Sequence, residues 1–255
     1  MLKTPVLLIV VVVASAAPMR SVGPGVWRPL YPAEGEEAVA VPAFQLDERT
    51  VTTREFAAFV RANPTWQRGA VGALFADEGY LTGWASPTEP GEALHAKPVT
   101  QVSWWAARAY CSSRDARLPT EAEWELAGMA SATTADATGD PAHLATILAW
   151  YSRPGRDGLP DAGSGPANVW GIRGLHTGVW EWVDDYASAL VSVDNREDGA
   201  VDASRFCGAG AVSASIKEDY AAFMRIAFRS SLQAASTTAN LGFRCARDAG
   251  PEPQP

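Results

Sequence analysis

Three cysteines, Cys111, Cys207 and Cys245, are the residues of this chain best suited to redox or soft-metal chemistry. An odd number gives one disulfide and one spare thiol, and spacing alone leaves the choice of pair open. No Cys-x-x-Cys occurs, and His95, His143 and His176 are too far apart in sequence to form a zinc-ligand motif. Gly208-Ala-Gly210 lacks the Lys-Ser/Thr pair of a phosphate loop. The carboxylates worth weighing lie in ordered blocks: Arg117-Leu-Pro-Thr-Glu-Ala-Glu-Trp-Glu125, Gly178-Val-Trp-Glu-Trp-Val-Asp184 and, with its arginines, Asn240-Leu-Gly-Phe-Arg-Cys-Ala-Arg247. The glutamates of the first block read as a helix start rather than as acid–base catalysts, because Thr120 and Glu123 form a capping-box pattern. Glu181 in the second block reads as the partner of an arginine such as Arg244 in a buried network.

These residues have to be positioned by a modest set of elements. Thr52 with Glu55 starts a helix whose apolar face is Phe56, Phe59 and Val60, ending before Pro64. Ser103 caps a second helix that puts Trp104, Ala107 and Cys111 on one face. Thr120 caps the third, with Glu121 and Glu123 in the first turn, where the helix dipole favours anions. Val41 to Leu46 alternates weakly and predicts a strand; residues 66–96 and 131–166 read as loop, apart from an apolar patch at Leu144 to Tyr151. Strands are expected around Trp180 and Trp182, over Phe223 to Arg229 and over Leu241 to Cys245, together forming a twisted antiparallel sheet. Trp170, Trp180 and Trp182 read as core. Long irregular connections of this kind tend to carry function.

A hydrophobic fraction of 47% and ten tryptophans suffice for a real core. The net charge of −8 argues against a nucleic-acid partner and against a polybasic membrane surface. Lys3, the apolar run Val6 to Val13 and Ala14-Ser-Ala16 read as a signal peptide, too short to span a bilayer. The expected organisation is a signal peptide at 1–16, an irregular lead-in at 17–40, one domain at 41–248 and a disordered tail at 249–255. The expected location is periplasmic or secreted, where disulfides persist and no membrane partner is needed after cleavage.

The three blocks, with Pro98-Val-Thr-Gln-Val-Ser-Trp104 and Ala109-Tyr-Cys111 ahead of the first, resemble those of the formylglycine-generating enzyme (sulfatase-modifying factor) family. The resemblance runs from about Pro42 to Asp248. It implies an α+β, loop-rich fold of C-type-lectin-like type, with short helices around small antiparallel sheets. It also implies a disulfide between Cys111 and Cys245, which leaves Cys207 as the spare thiol. Family enzymes oxidise a sulfatase cysteine with oxygen and Cu(I), held by two closely spaced cysteines; soft thiolates select that ion. The matching positions here fall near Ser213 and Glu218, and no cysteine lies between Gly208 and Arg244. Formylglycine generation by the family mechanism is therefore not expected. The resemblance further implies a calcium site built from the Thr177 and Val179 carbonyls and Glu181, weakened because an upstream asparagine ligand is replaced by Gly174.

The expected function is that of an exported accessory or maturation factor for another exported protein or metalloenzyme. Two alternatives stand beside it: an oxidoreductase with an active site rebuilt around Cys207, with or without copper, and a lectin-like binding module. As a bland alternative, Cys207 is a small buried hydrophobe; His176, the histidine nearest a motif block, has a ligand reading and, as its bland alternative, that of a hydrogen-bonded loop residue.

Overall fold

The computed structural model describes residues 16–30, 37–152, 158–186 and 217–250, with side chains of the last stretch from Ala221 onward. Among the described residues, seven short strands and five α-helices alternate with long connections. They are β1 (Met19–Val22), β2 (Gly25–Trp27), β3 (Val39–Val41), β4 (Phe44–Asp47), α1 (Thr53–Ala62), α2 (Trp104–Ser112), α3 (Glu121–Gly128), α4 (Pro141–Tyr151), β5 (Trp180–Glu181), α5 (Lys217–Ser230), β6 (Leu241–Gly242) and β7 (Ala246–Asp248). Three small sheets result: β1-β4-β7, β2-β3 and β5-β6.

The three expected helices start where their caps predict. Thr52 and Thr120 both close full capping boxes, with Glu55 and Glu123 reaching back to the cap amides, and the Ser103 hydroxyl accepts from the Ala106 amide. Asp185 accepts a further bond from the Glu121 amide at 2.7 Å, so a loop carboxylate satisfies another orphan donor of α3. On α1, Arg49 makes a bidentate pair with Glu55 at 2.9 Å for each contact, and the Thr52 hydroxyl and amide also donate to Glu55. Burial alone would raise the Glu55 pKa, but these bonds outweigh it and hold the carboxyl below its ordinary value. A carboxyl lowered in the folded state contributes stability that is present above its unfolded pKa and is lost as pH falls through the folded one. Glu55→Gln should therefore lower stability at neutral pH by about 1–2 kcal/mol and remove part of the acid limb below pH 4.5, measured by urea titration at several pH values. An unchanged acid limb would count against this assignment.

Four sequence expectations are corrected. The lead-in is not irregular: Met19–Val22 pairs antiparallel with Phe44–Asp47, and Gly25–Trp27 with Val39–Val41, so distant partners supply an order that composition hides. Within 131–166, the patch is a helix, α4, which Asp140 caps with Pro141 in the first turn. Phe223 to Arg229 is helical, inside α5, rather than a strand. Finally, β5 and β6 pair in parallel, Trp180 opposite Leu241 and Glu181 opposite Gly242.

The core lies in two clusters. One packs Phe56, Phe59 and Val60 of α1 and Tyr110 and Cys111 of α2 against Phe243 and Trp182; the other packs β1 and β4 against Trp124 and Leu126 of α3. Of the tryptophans read as core, Trp182 is buried and its indole donates to the Val102 carbonyl at 2.9 Å, whereas Trp170 and Trp180 are half-buried and pack against the edges of the two clusters. Gly242 is required by close approach, since a Cβ there would meet the Val99 carbonyl oxygen at 2.6 Å. Cys111 and Cys245 are bonded, with Cα atoms 5.5 Å apart, tying α2 to the segment between β6 and β7. Among the described residues, no helix is long and apolar enough to cross a membrane.

Candidate functional site

The parallel β5-β6 pair brings the second and third blocks together. Arg244 approaches Glu181 with Nε to Oε2 at 2.7 Å and Nη2 to Oε1 at 2.8 Å, and neither side chain is accessible to solvent. The Trp124 indole donates to Glu181 Oε2 at 2.9 Å, and the remaining Arg244 donors reach the carbonyls of Asp47, Glu48 and Arg173. This one pair therefore binds the third block to the second, to α3 and to the end of β4. Its geometry bears on the calcium site that the family resemblance implies. Both oxygens of Glu181 are engaged and its charge is balanced by a guanidinium, so the donor set does not fit a hard cation that needs this carboxylate. Thr177 and Val179 offer backbone carbonyls, and Thr177 its hydroxyl, but no second carboxylate.

A second charged network joins α3 to α5. Arg225 grips Glu125 with two bonds of 2.7 Å, and Arg229 reaches Glu121 at 2.7 Å and Glu125 at 3.0 Å. Both guanidinium groups lie over the Trp124 ring, at 5.7 and 5.2 Å from its centroid. Arg225 also donates to the Tyr151 hydroxyl at 3.0 Å, which links α4 into the same assembly. Burial favours protonation of Glu125, yet the two arginines overcome it and keep the carboxyl below its ordinary range. Glu121 is pushed the other way, upward, by burial and by the nearby Glu125 and Asp185 carboxylates against the pull of Arg229.

Beside this network is a cavity of about 270 Å³. Its polar lining comes from α3 (Glu121, Glu125), α4 (His143), α5 (Arg225), the loop residue His176 and the exposed Arg28 and Asp136; Trp27, Met129, Leu144 and Ile147 add apolar wall. The His176 Nε2 lies 2.8 Å from the Gly128 carbonyl oxygen at the end of α3. Gly128 allows that approach, because a Cβ there would sit 3.2 Å from the same nitrogen. Desolvation by burial, with Arg225 nearby, pushes the His176 pKa down to about 4, so the ring is neutral at physiological pH.

The sequence-predicted residues divide accordingly. Glu181 and Arg244 meet, as do Cys111 and Cys245. His176 is hydrogen-bonded, as its bland reading had it, but it also faces the cavity. Cys207 and Ser213 lie outside the described residues, as does the side chain of Glu218. Sequence reasoning missed Arg225, Arg229 and His143. The signal for the arginines was their spacing: Ala221, Arg225 and Arg229 are the buried positions of α5, a four-residue period in which two members are charged.

Comparison with known proteins places this architecture. The family model described as "Sulfatase-modifying factor enzyme 1-like domain" matches residues 10–249. The formylglycine-generating enzyme of Streptomyces coelicolor is 30% identical, over 86% of this chain and 83% of its own length. A bovine relative named inactive C-alpha-formylglycine-generating enzyme 2 is 33% identical, over 67% of this chain and 58% of its own. Among solved structures, PvdO from Pseudomonas aeruginosa superposes with a TM-score of 0.51 at 17% identity, covering 91% of this chain and 94% of that one. The fold is thus a mix of short helices and small sheets shared with formylglycine-generating-enzyme-like proteins, and the chain belongs to the sulfatase-modifying factor enzyme 1-like family.

Proposed function

We propose that this protein is an exported accessory or maturation factor that does not itself generate formylglycine. The observation that carries the reading is the Cys111–Cys245 disulfide. With three cysteines in the chain and two of them bonded, Cys207 is left alone, and a two-thiolate Cu(I) site cannot be assembled within one chain. The Ser213 and Glu218 positions supply a hydroxyl and a carboxylate, hard ligands that do not substitute for thiolates. That a relative carries the name inactive enzyme supports a family frame able to persist without the oxidation. Export is supported by the apolar N-terminal run and by a disulfide, which persists in oxidising compartments.

In this reading the family frame is retained for recognition. The α3–α5 network and the Glu181–Arg244 pair hold it, and the cavity beside α3 offers mixed polar and apolar wall for part of a client. The test is a deletion strain whose exported proteins are compared with wild type by intact mass and bound-metal content. An exported protein that loses a modification or its metal, and regains it on complementation, is the expected result. Identical exported proteins in both strains would end the accessory reading.

A further inference from the structure

His143 and His176 both line the cavity, and one nitrogen of each ring, His143 Nε2 and His176 Nδ1, is buried and meets no hydrogen-bond partner among the described residues. For His176 the proton can be placed by chemistry. The Gly128 carbonyl oxygen can only accept, so Nε2 at 2.8 Å is the donor. A neutral ring carries one N–H, which makes Nδ1 a bare lone pair with no protein donor among the described residues. Leaving such an acceptor buried is costly unless something occupies it. An imidazole whose far N–H is anchored on a backbone carbonyl while its other nitrogen is bare has the outer-shell arrangement of a metal ligand.

The two rings stand edge to face with centroids 5.8 Å apart. His176 is fixed on its other side by Trp124, at 5.6 Å and nearly perpendicular. His143 sits on α4, one turn in from its cap, while His176 lies in a loop held by the Gly128 carbonyl and the Trp124 ring. Among the described residues no group of three His, Cys, Asp or Glu is placed to hold an ion. Glu121 and Glu125 line the same cavity but are committed to Arg225 and Arg229.

We propose that His143 Nε2 and His176 Nδ1 form a two-imidazole site for a borderline transition-metal ion, with the remaining coordination positions open to the cavity. Imidazole donors suit copper and zinc, and a site with open positions binds or activates a further ligand rather than merely closing the fold. This site is separate from the thiolate pair that the sequence lacks, and it does not depend on the accessory reading.

The probe is Cu²⁺, which stands highest in the divalent affinity order and whose EPR spectrum counts coordinated nitrogens. Titration of the whole mature protein, with excess glycine to hold weak sites empty, should give one bound ion with coupling to two imidazole nitrogens. His143→Gln and His176→Gln should each weaken binding by more than about a hundredfold, beyond the loss typical of an outer-shell change. His95→Gln and Cys207→Ser should leave affinity and spectrum unchanged. Circular dichroism of the metal-free variants verifies that each is folded, and Cys207→Ser separates the site from the spare thiol. Wild-type binding that survives in both cavity variants, binding that is lost in Cys207→Ser, or no stoichiometric binding at all would overturn the proposal.

Discussion

Replacing Arg244 with alanine should destabilise the protein by about 3–5 kcal/mol, read from the urea midpoint at neutral pH. The reason is not the attraction lost but the carboxylate left behind. Glu181 is inaccessible to solvent, and without Arg244 it retains only the Trp124 indole at 2.9 Å as a donor. The double variant Arg244→Met with Glu181→Leu should recover most of the loss, because an apolar pair of similar volume removes both buried charges. If Arg244→Ala costs under about 1 kcal/mol, the pair is not the clamp described above. The same assignment predicts that a chelator leaves the wild-type melting temperature unchanged. A calcium-dependent rise abolished by Glu181→Gln would return Glu181 to the role of a metal ligand.

The second large effect belongs to the disulfide. Cys111 and Cys245 are 134 residues apart, and closing a loop of that length restricts the unfolded chain by about 5 kcal/mol in the entropy model. The double variant Cys111→Ala, Cys245→Ala should lose most of this; both thiols are removed, so no free cysteine is added to Cys207. Before reduction, iodoacetamide should label one thiol per denatured chain, and after reduction three. A linkage involving Cys207, or a loss of stability under about 1 kcal/mol, would contradict the pairing and the account of the spare thiol.

Much of the frame was legible in the sequence because local chemistry wrote it there. Thr52, Ser103 and Thr120 are helix caps whose partners lie three residues on, and each helix begins as they require. The family blocks placed Cys111 against Cys245 and set the choice at Glu181 between cation and arginine. What could not be read was non-local. The strand at Met19–Val22 has no strong alternation of its own and is defined by pairing with Phe44–Asp47. The α5 helix hid its period because the residues it buries are Arg225 and Arg229, which become buriable only when Glu121 and Glu125 of α3 receive them. The α4 helix was announced by Asp140-Pro141, a cap and a first-turn proline, but the surrounding Ala, Gly and Asp masked it. His143 carries no motif, and His176 only neighbours the second block. Their approach depends on α4 packing beside the loop that reaches the end of α3, a juxtaposition only the fold supplies.

A family frame stands here without the thiolate pair that the family enzymes use. The most direct measurement is mass spectrometry of a sulfatase peptide carrying Cys-x-Pro-x-Arg, incubated with copper-loaded protein, reductant and oxygen. The account predicts that the peptide keeps its thiol mass, in the wild type and in Cys207→Ser alike. Conversion of that cysteine to the aldehyde by the wild-type protein would contradict it.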